Sequence, residues 1–182
     1  QATAFAISDD HMLTAGHYCD RLQEKNALGL VSKYIKVEGA DRNGESYLVG
    51  IATIVANHKK HDMCIIKLEN HGLIPLKLFG DMSVIETEDK VTVSGAPRGY
   101  FPVRREGRIV SKKYGSRKLI LMALNVDPGS SGSPVIWNGR VVGIVVRYFD
   151  VITYPKAIKN AALATRGDHV VRFVNKTIGL PK

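Results

Sequence analysis

Short apolar runs rich in Val and Ile, separated by turn residues every 8 to 12 positions, limit what this chain can fold into more than any other feature it carries. The runs fall at residues 3–8, 12–15, 34–37, 47–58, 63–68, 90–94, 103–114, 118–125, 134–137 and 140–149. Neighbouring side chains of a strand point to opposite faces, so runs of this length bury apolar surface as strands of a sheet. The residues between them favour turns, as at Ser8-Asp9-Asp10-His11, Asp41 to Gly44 and Asn138-Gly139, the last suited to a tight hairpin. Helical spacing is clear only near the end. There Val171, Val174 and Ile178 follow Asp168 and Gly179 stops the run, which predicts a closing helix over about 168–178 with Asp168 as its N-cap. YCDRLQEK, from Tyr18, has room for one helical turn, and 151–164 is ambiguous apart from a strand near 162–165. The fold class is therefore all-β with a short C-terminal helix.

A chain of 182 residues accommodates one large domain or two small β-barrels sharing an interface. Residues 69–89, with Gly72, Pro75, Gly80 and the acidic stretch Glu86 to Asp89, read as the crossover between halves, dividing the chain into 1–78 and 79–182. At 45% hydrophobic and 24% charged residues the composition is that of an ordinary globular protein. No apolar run reaches the roughly 18 residues that span a bilayer, and no charged start with an apolar core marks a signal peptide. The net charge of +9 suggests affinity for something acidic. Seven Lys or Arg fall within the fifteen positions 104–118, among them Arg104, Arg105, Lys112 and Lys113. Such a hairpin is either a solvated face or a secondary nucleic-acid contact, and Tyr114 is its one aromatic platform.

One loop has chemical content. Asp127 to Pro134, DPGSSGSP, lies between the apolar runs Leu119 to Leu124 and Val141 to Val146. Two glycines around a serine describe either an ordinary turn or a loop whose amides converge beside a hydroxyl, as acyl transfer requires. Two other stretches supply what a serine nucleophile needs. TAGH ends at His17, a base, and HDMCIIKL carries Asp62, a carboxylate at the mouth of a continuous apolar strand. The chain order is His17, Asp62, Ser131. The other five histidines sit in no matching motif and read as surface residues. Neither cysteines nor histidines show metal-ligand spacing, so no metal or other cofactor is expected.

Together TAGH, Asp62 with the following MCIIKL, and GSSGSP resemble the chymotrypsin-fold, trypsin-like serine proteases, over residues 14–134. The compact form, with a proline before the first glycine of the loop, is most similar to HtrA-type and viral enzymes. The resemblance implies two six-stranded antiparallel barrels, with His17 and Asp62 from the first and Ser131 from the second. It implies a covalent acyl-enzyme mechanism, with the Gly129 and Ser131 amides as oxyanion hole. It also implies a substrate cleft lined by Asn125, Val126, Val145, Val146, Arg147, Tyr148 and Ala162, for an uncharged P1 side chain. The substrate would be a protein or peptide. A viral or phage polyprotein processor, acting in a host cell, competes with an exported or housekeeping bacterial protease. A protease-like module that binds nucleic acid through the basic hairpin is the alternative from another class.

Departures from the family pattern matter as well. Ser130 stands where the digestive enzymes carry the Asp that pairs with a freed N-terminus, so activity is not expected to need that event. Ser133 replaces a glycine, and Val146 stands where relatives place a serine beside the catalytic acid. Cys19 and Cys64 each follow a candidate catalytic residue by two positions. They are read as two buried free thiols, with a bridge as the lesser possibility.

Overall fold

The computed structural model describes residues 1–23, 34–40, 43, 45–97, 103–116, 119–152 and 158–179. The N-terminal half is an open antiparallel sheet in the order β1-β2-β5-β4-β3 among the described residues. Its strands are β1 (Ala4–Ala6), β2 (His11–Ala15), β3 (Tyr34–Ala40), β4 (Ser46–His58) and β5 (Met63–Lys67). The turn expected at Ser8 to His11 closes the first hairpin, with the Ile7 and Ser8 amides donating to the His11 carbonyl at 2.9 and 3.3 Å. β2 and β5 are continuous apolar runs because both of their faces are covered. Leu13, Met63 and Ile65 face one core with Phe173 and Val174, while Met12, Cys64 and Ile66 face another with Ile35 and Ala52. Each such side chain contributes roughly 1.5–3 kcal/mol by leaving water.

The C-terminal half is a closed six-stranded barrel, β10-β11-β8-β7-β6-β9. It comprises β6 (Lys90–Gly95), β7 (Val103–Tyr114), β8 (Leu119–Ala123), β9 (Pro134–Trp137), β10 (Arg140–Ile152) and β11 (Ile158–Arg166). The ambiguous stretch after residue 151 is thus partly strand: Ala162 to Thr165 lie inside β11, paired with both β10 and β8. Asn138-Gly139 makes the β9–β10 turn, both residues at positive φ. The two halves share a core of Phe5, Leu13, Ile65, Val141 and Ile144, capped by Val170 and Val174 of the closing helix. The crossover is fastened to both halves. Leu76 donates to the Ala6 carbonyl on one side, and Phe79 to the Val141 carbonyl on the other, at 2.9 and 2.8 Å.

Two helices complete the chain, α1 (Gly16–Gln23) and α2 (Gly167–Ile178). α1 has about two turns, not the single turn expected, because Cys19 is drawn into the β4–β5 side of the sheet. Gly179, at φ +64°, stops α2 as the sequence predicts. Asp168 does not cap it. Arg166 occupies the cap position, and Asp168 in the first turn binds the Arg166 guanidinium through both oxygens at 3.0 and 2.9 Å.

Two further sequence expectations are corrected. Cys19 and Cys64 are not free thiols but form a disulfide. α1 folds back directly after β2, and β2 pairs Thr14 with Cys64, so both sulfurs enter the same buried cluster. His71 is not a surface residue: it is buried, its Nδ1 accepting from the Leu73 amide and its Nε2 donating to the Ser8 carbonyl, both at 3.0 Å. The remaining histidines other than His17 are half-buried, and three of them cluster against α2.

Candidate active site

His17 is delivered by a turn that only glycine permits. A Cβ on Gly16 would lie 2.7 Å from the Met63 amide nitrogen and 2.9 Å from Asn57 Oδ1, so the chain passes closer to β5 than a side chain allows. On the facing element a 3₁₀ turn, Lys59–His61, ends at Asp62, which holds a left-handed conformation at φ +54° immediately before β5. Aspartate visits that region more readily than most non-glycine residues. The Asp62 carboxylate then collects three contacts from one residue. The His17 amide donates to Oδ1 at 2.6 Å, and His17 Nδ1 lies 3.1 Å from Oδ1 and 2.9 Å from Oδ2. An ionised carboxylate can only accept, so Nδ1 carries the proton and the Nε2 lone pair is left for another partner. The pair is partly screened from water, with 33% of the His17 and 19% of the Asp62 side chain exposed.

The turn that presents Asp62 is held from both sides. Thr165 of β11 donates its hydroxyl to the His61 carbonyl at 2.5 Å. Asn57 donates to Asp20 of α1 at 2.9 Å, and Asp20 pairs with Lys59 at 3.6 Å.

The DPGSSGSP loop is compact. The Ser130 amide donates to the Asp127 carbonyl and the Ser133 amide to the Ser130 carbonyl, each at 3.0 Å. The Gly132 amide donates to the Val145 carbonyl at 2.8 Å and Val145 returns a bond to Ser133 at 3.0 Å, which anchors the loop to β10. Gly129 and Gly132 have φ of +98° and +89°. A Cβ on Gly132 would come within 2.7 Å of Thr14 Oγ1 and 3.0 Å of the Ala15 amide, so the loop lies against the end of β2, two residues before His17. Thr3 completes the contact. Its amide donates to the Ser131 carbonyl at 2.8 Å, its hydroxyl to the Gly129 carbonyl at 2.9 Å, and its own carbonyl accepts from Thr14 at 2.7 Å. Among the described residues the Gly129 and Ser131 amides donate to no group, and no hydrogen bond joins the Ser131 hydroxyl to His17. Ser133, in place of a glycine, is fully buried against Gly95, and its hydroxyl has no partner among the described residues.

The residues expected to line the substrate cleft separate into two groups. Val126, Val145 and Ala162 are buried in the apolar core of the barrel, while Asn125, Arg147 and Tyr148 are exposed. Val146 and Arg147 line a hollow of about 290 Å³ beside Asp62. The sequence reading did not find its other walls, Tyr114, Gly115, Ser116, Leu119 and Leu163. Gly115, at φ +66°, ends β7 there, and the one sequence signal for it was a stretch read only as basic. Val146 thus brings a hydrocarbon, not a hydroxyl, to the hollow that Asp62 shares.

The basic stretch is interleaved with acids. Arg104 meets Glu106 at 3.3 Å, Arg108 meets Glu88 at 3.8 Å, and Lys112 turns inward toward the Met82 and Ile85 carbonyls and Glu86. Arg105 and Lys113 remain exposed. No helix of the described residues is long and apolar enough to cross a membrane, and no three His, Cys, Asp or Glu groups among them converge as metal ligands.

Comparison with known proteins accords with this geometry. No curated protein sequence matches. Among solved structures, the chain is similar to Deg5, at 20% identity over 96% of this chain and 82% of that one, with a TM-score of 0.73. It is also similar to a serine endoprotease from Yersinia pestis, at 18% identity over 97% of this chain and 57% of that one, with a TM-score of 0.69. A third similar structure is the HtrA-type protease AlgW with a decapeptide, at 19% identity, 97% and 51% coverage and a TM-score of 0.71. The chain therefore spans little more than half the length of the latter two. At these identities the likeness establishes the fold. The family model for the trypsin-like peptidase domain matches residues 2–144, most of the chain, and with two β units carrying a histidine, an aspartate and a glycine-flanked serine in that order, this chain belongs to the trypsin-like peptidase domain family and has the chymotrypsin fold.

Proposed function

We propose that the chain hydrolyses peptide bonds through His17, Asp62 and Ser131 and a covalent acyl-enzyme. The observation that carries this reading is the His17–Asp62 pair, which fixes the ring tautomer with Nε2 free, beside a serine loop riveted to the same strand end. In this mechanism Nε2 takes the proton from the Ser131 hydroxyl as its oxygen bonds to the substrate carbonyl carbon. The carbonyl oxygen becomes an oxyanion, received by the Gly129 and Ser131 amides, which have no other acceptor among the described residues. His17 passes the proton to the leaving amine, the C–N bond breaks, and water repeats the sequence on the ester. The separation of Ser131 from His17 without substrate is no obstacle, since such bonds tighten in the complex.

The substrate runs extended along Val146 to Tyr148, pairing by backbone hydrogen bonds. Asn125 offers no charge to the P1 side chain, which favours an uncharged residue there. The boundary between the two units falls near residue 78, on the crossover. A fluorophosphonate followed by intact-mass measurement tests the site. One adduct is expected on the parent, none on Ser131→Ala and little on His17→Ala. A folded parent that takes no adduct would overturn the assignment, and a peptide library cleaved mainly after Arg or Lys would overturn the P1 reading.

A further inference from the structure

We propose that the hollow between the Lys59–His61 turn and α2 binds a small, multiply charged oxyanion of the phosphate type. His58, His61, His169, Arg172, Lys176 and Thr177 surround a cavity of about 360 Å³ beside the turn that ends at Asp62. The rings of His61 and His169 are stacked, with centroids 4.0 Å apart and planes at 23°. His58 leans on His61 at 4.9 Å and meets Phe173 edge-on at 5.4 Å. The described residues hold no convergent metal-ligand set, so a metal ion is not the ligand this lining suits.

The charges facing the hollow point to an anion. No carboxylate lines it. Asp62 and Asp168, adjacent in sequence to His61 and His169, are already engaged, with His17 and with Arg166. Arg172 and Lys176, which line the hollow, pair with no carboxylate among the described residues. His169 is held below its ordinary value by burial, and the positive charges of Arg166, Arg172 and His58 act the same way against the pull of Asp168. Around His169 the cations thus outnumber the one carboxylate that acts on it. A dianion between the rings and the Arg172 and Lys176 side chains would balance those charges, accepting a charge-assisted hydrogen bond from a His169 imidazole that gains its proton as the anion binds. Binding is therefore tied to acidity, and strengthens as pH falls through the histidine range.

Isothermal titration of the whole chain with inorganic pyrophosphate and with sulfate, at about pH 6 and about pH 8 and constant ionic strength, tests the site. Sulfate stays doubly charged throughout, so a pH effect on its affinity comes from the protein. We expect saturable one-to-one binding, with sulfate about tenfold tighter at the lower pH. Arg172→Ala with Lys176→Ala, both exposed, should melt like the parent and lose about tenfold or more in affinity. His169→Phe should keep the ring contact and lose most of the pH effect. O-phosphoserine titrated in parallel assigns the source: tighter binding than pyrophosphate points to a phosphorylated chain and weaker binding to a free ion, and either supports the site. No saturable heat at either pH, or unchanged affinity in the double variant, would overturn the proposal.

Discussion

Asp62 does two tasks with one carboxylate: it anchors the His17 backbone through Oδ1 and fixes the ring through Nδ1. Replacing it by Asn keeps an oxygen for the amide but can present an N–H to the ring, which moves the imidazole proton to Nε2 where it blocks catalysis. Asp62→Asn is therefore expected to leave folding nearly intact while lowering kcat by about 10⁴-fold, read on any peptide the parent cleaves. A loss under about tenfold would remove Asp62 from the mechanism. Ser133 makes the opposite case, a side chain whose polar group is left without a partner among the described residues. Its hydroxyl is buried, and a lone hydroxyl of this kind costs about 1–3 kcal/mol. Ser133→Ala keeps both backbone bonds of the loop and should raise the denaturation midpoint by the equivalent of about 1 kcal/mol. A fall in that midpoint would mean the hydroxyl is bound after all.

At the scale of elements, the Cys19–Cys64 bridge ties α1 to β5 across a sequence separation of 45 residues. It joins the element that carries His17 to the strand that follows Asp62, each half of the bridge two residues from one of the proposed catalytic pair. Closing a loop of that length in the unfolded chain is worth about 3–4 kcal/mol at most, so reduction should lower stability by about that much in urea titrations with and without reductant. Identical midpoints would show that α1 packing alone holds the helix. The bridge also marks where the sequence stopped being readable. Strand runs such as Met63 to Lys67 and turns such as Asn138-Gly139 declare themselves locally, through period and backbone preference. The fact that α1 turns back on β5 does not, because it depends on the register of β2 against β5, which pairs Thr14 with Cys64, and a cysteine two residues after His17 looks the same free or bridged. Asp168 failed for a related reason: a good N-cap residue was claimed by the neighbouring Arg166 guanidinium. The motif residues His17, Asp62 and Ser131 were legible one by one. The walls contributed by Tyr114 to Ser116 were not, since the end of β7 reaches the hollow beside Asp62 only once the barrel has closed.

Across the whole molecule, α2 is the piece that joins both halves to the site. Its apolar face, Val170, Phe173 and Val174, fills the shared core, and its polar face stacks His169 on His61, one residue before Asp62. The pH dependence of stability follows from the same contact. His169 is held below its ordinary value of about 6.5, with burial as the largest cause, so the folded chain binds its proton less readily than the unfolded chain does. Stability from the neutral ring is complete above about pH 6.5 and is lost as pH falls toward the lowered folded-state value. Thermal melts between about pH 8 and pH 5 should therefore show a decline below neutrality that His169→Phe makes shallower. Removing the apolar anchor should act differently. Phe173→Ala should cost about 3 kcal/mol or more at every pH, because the lost packing does not titrate. If the two substitutions gave parallel pH profiles, offset only in height, the decline would belong to other groups and α2 would serve as a plain apolar strut.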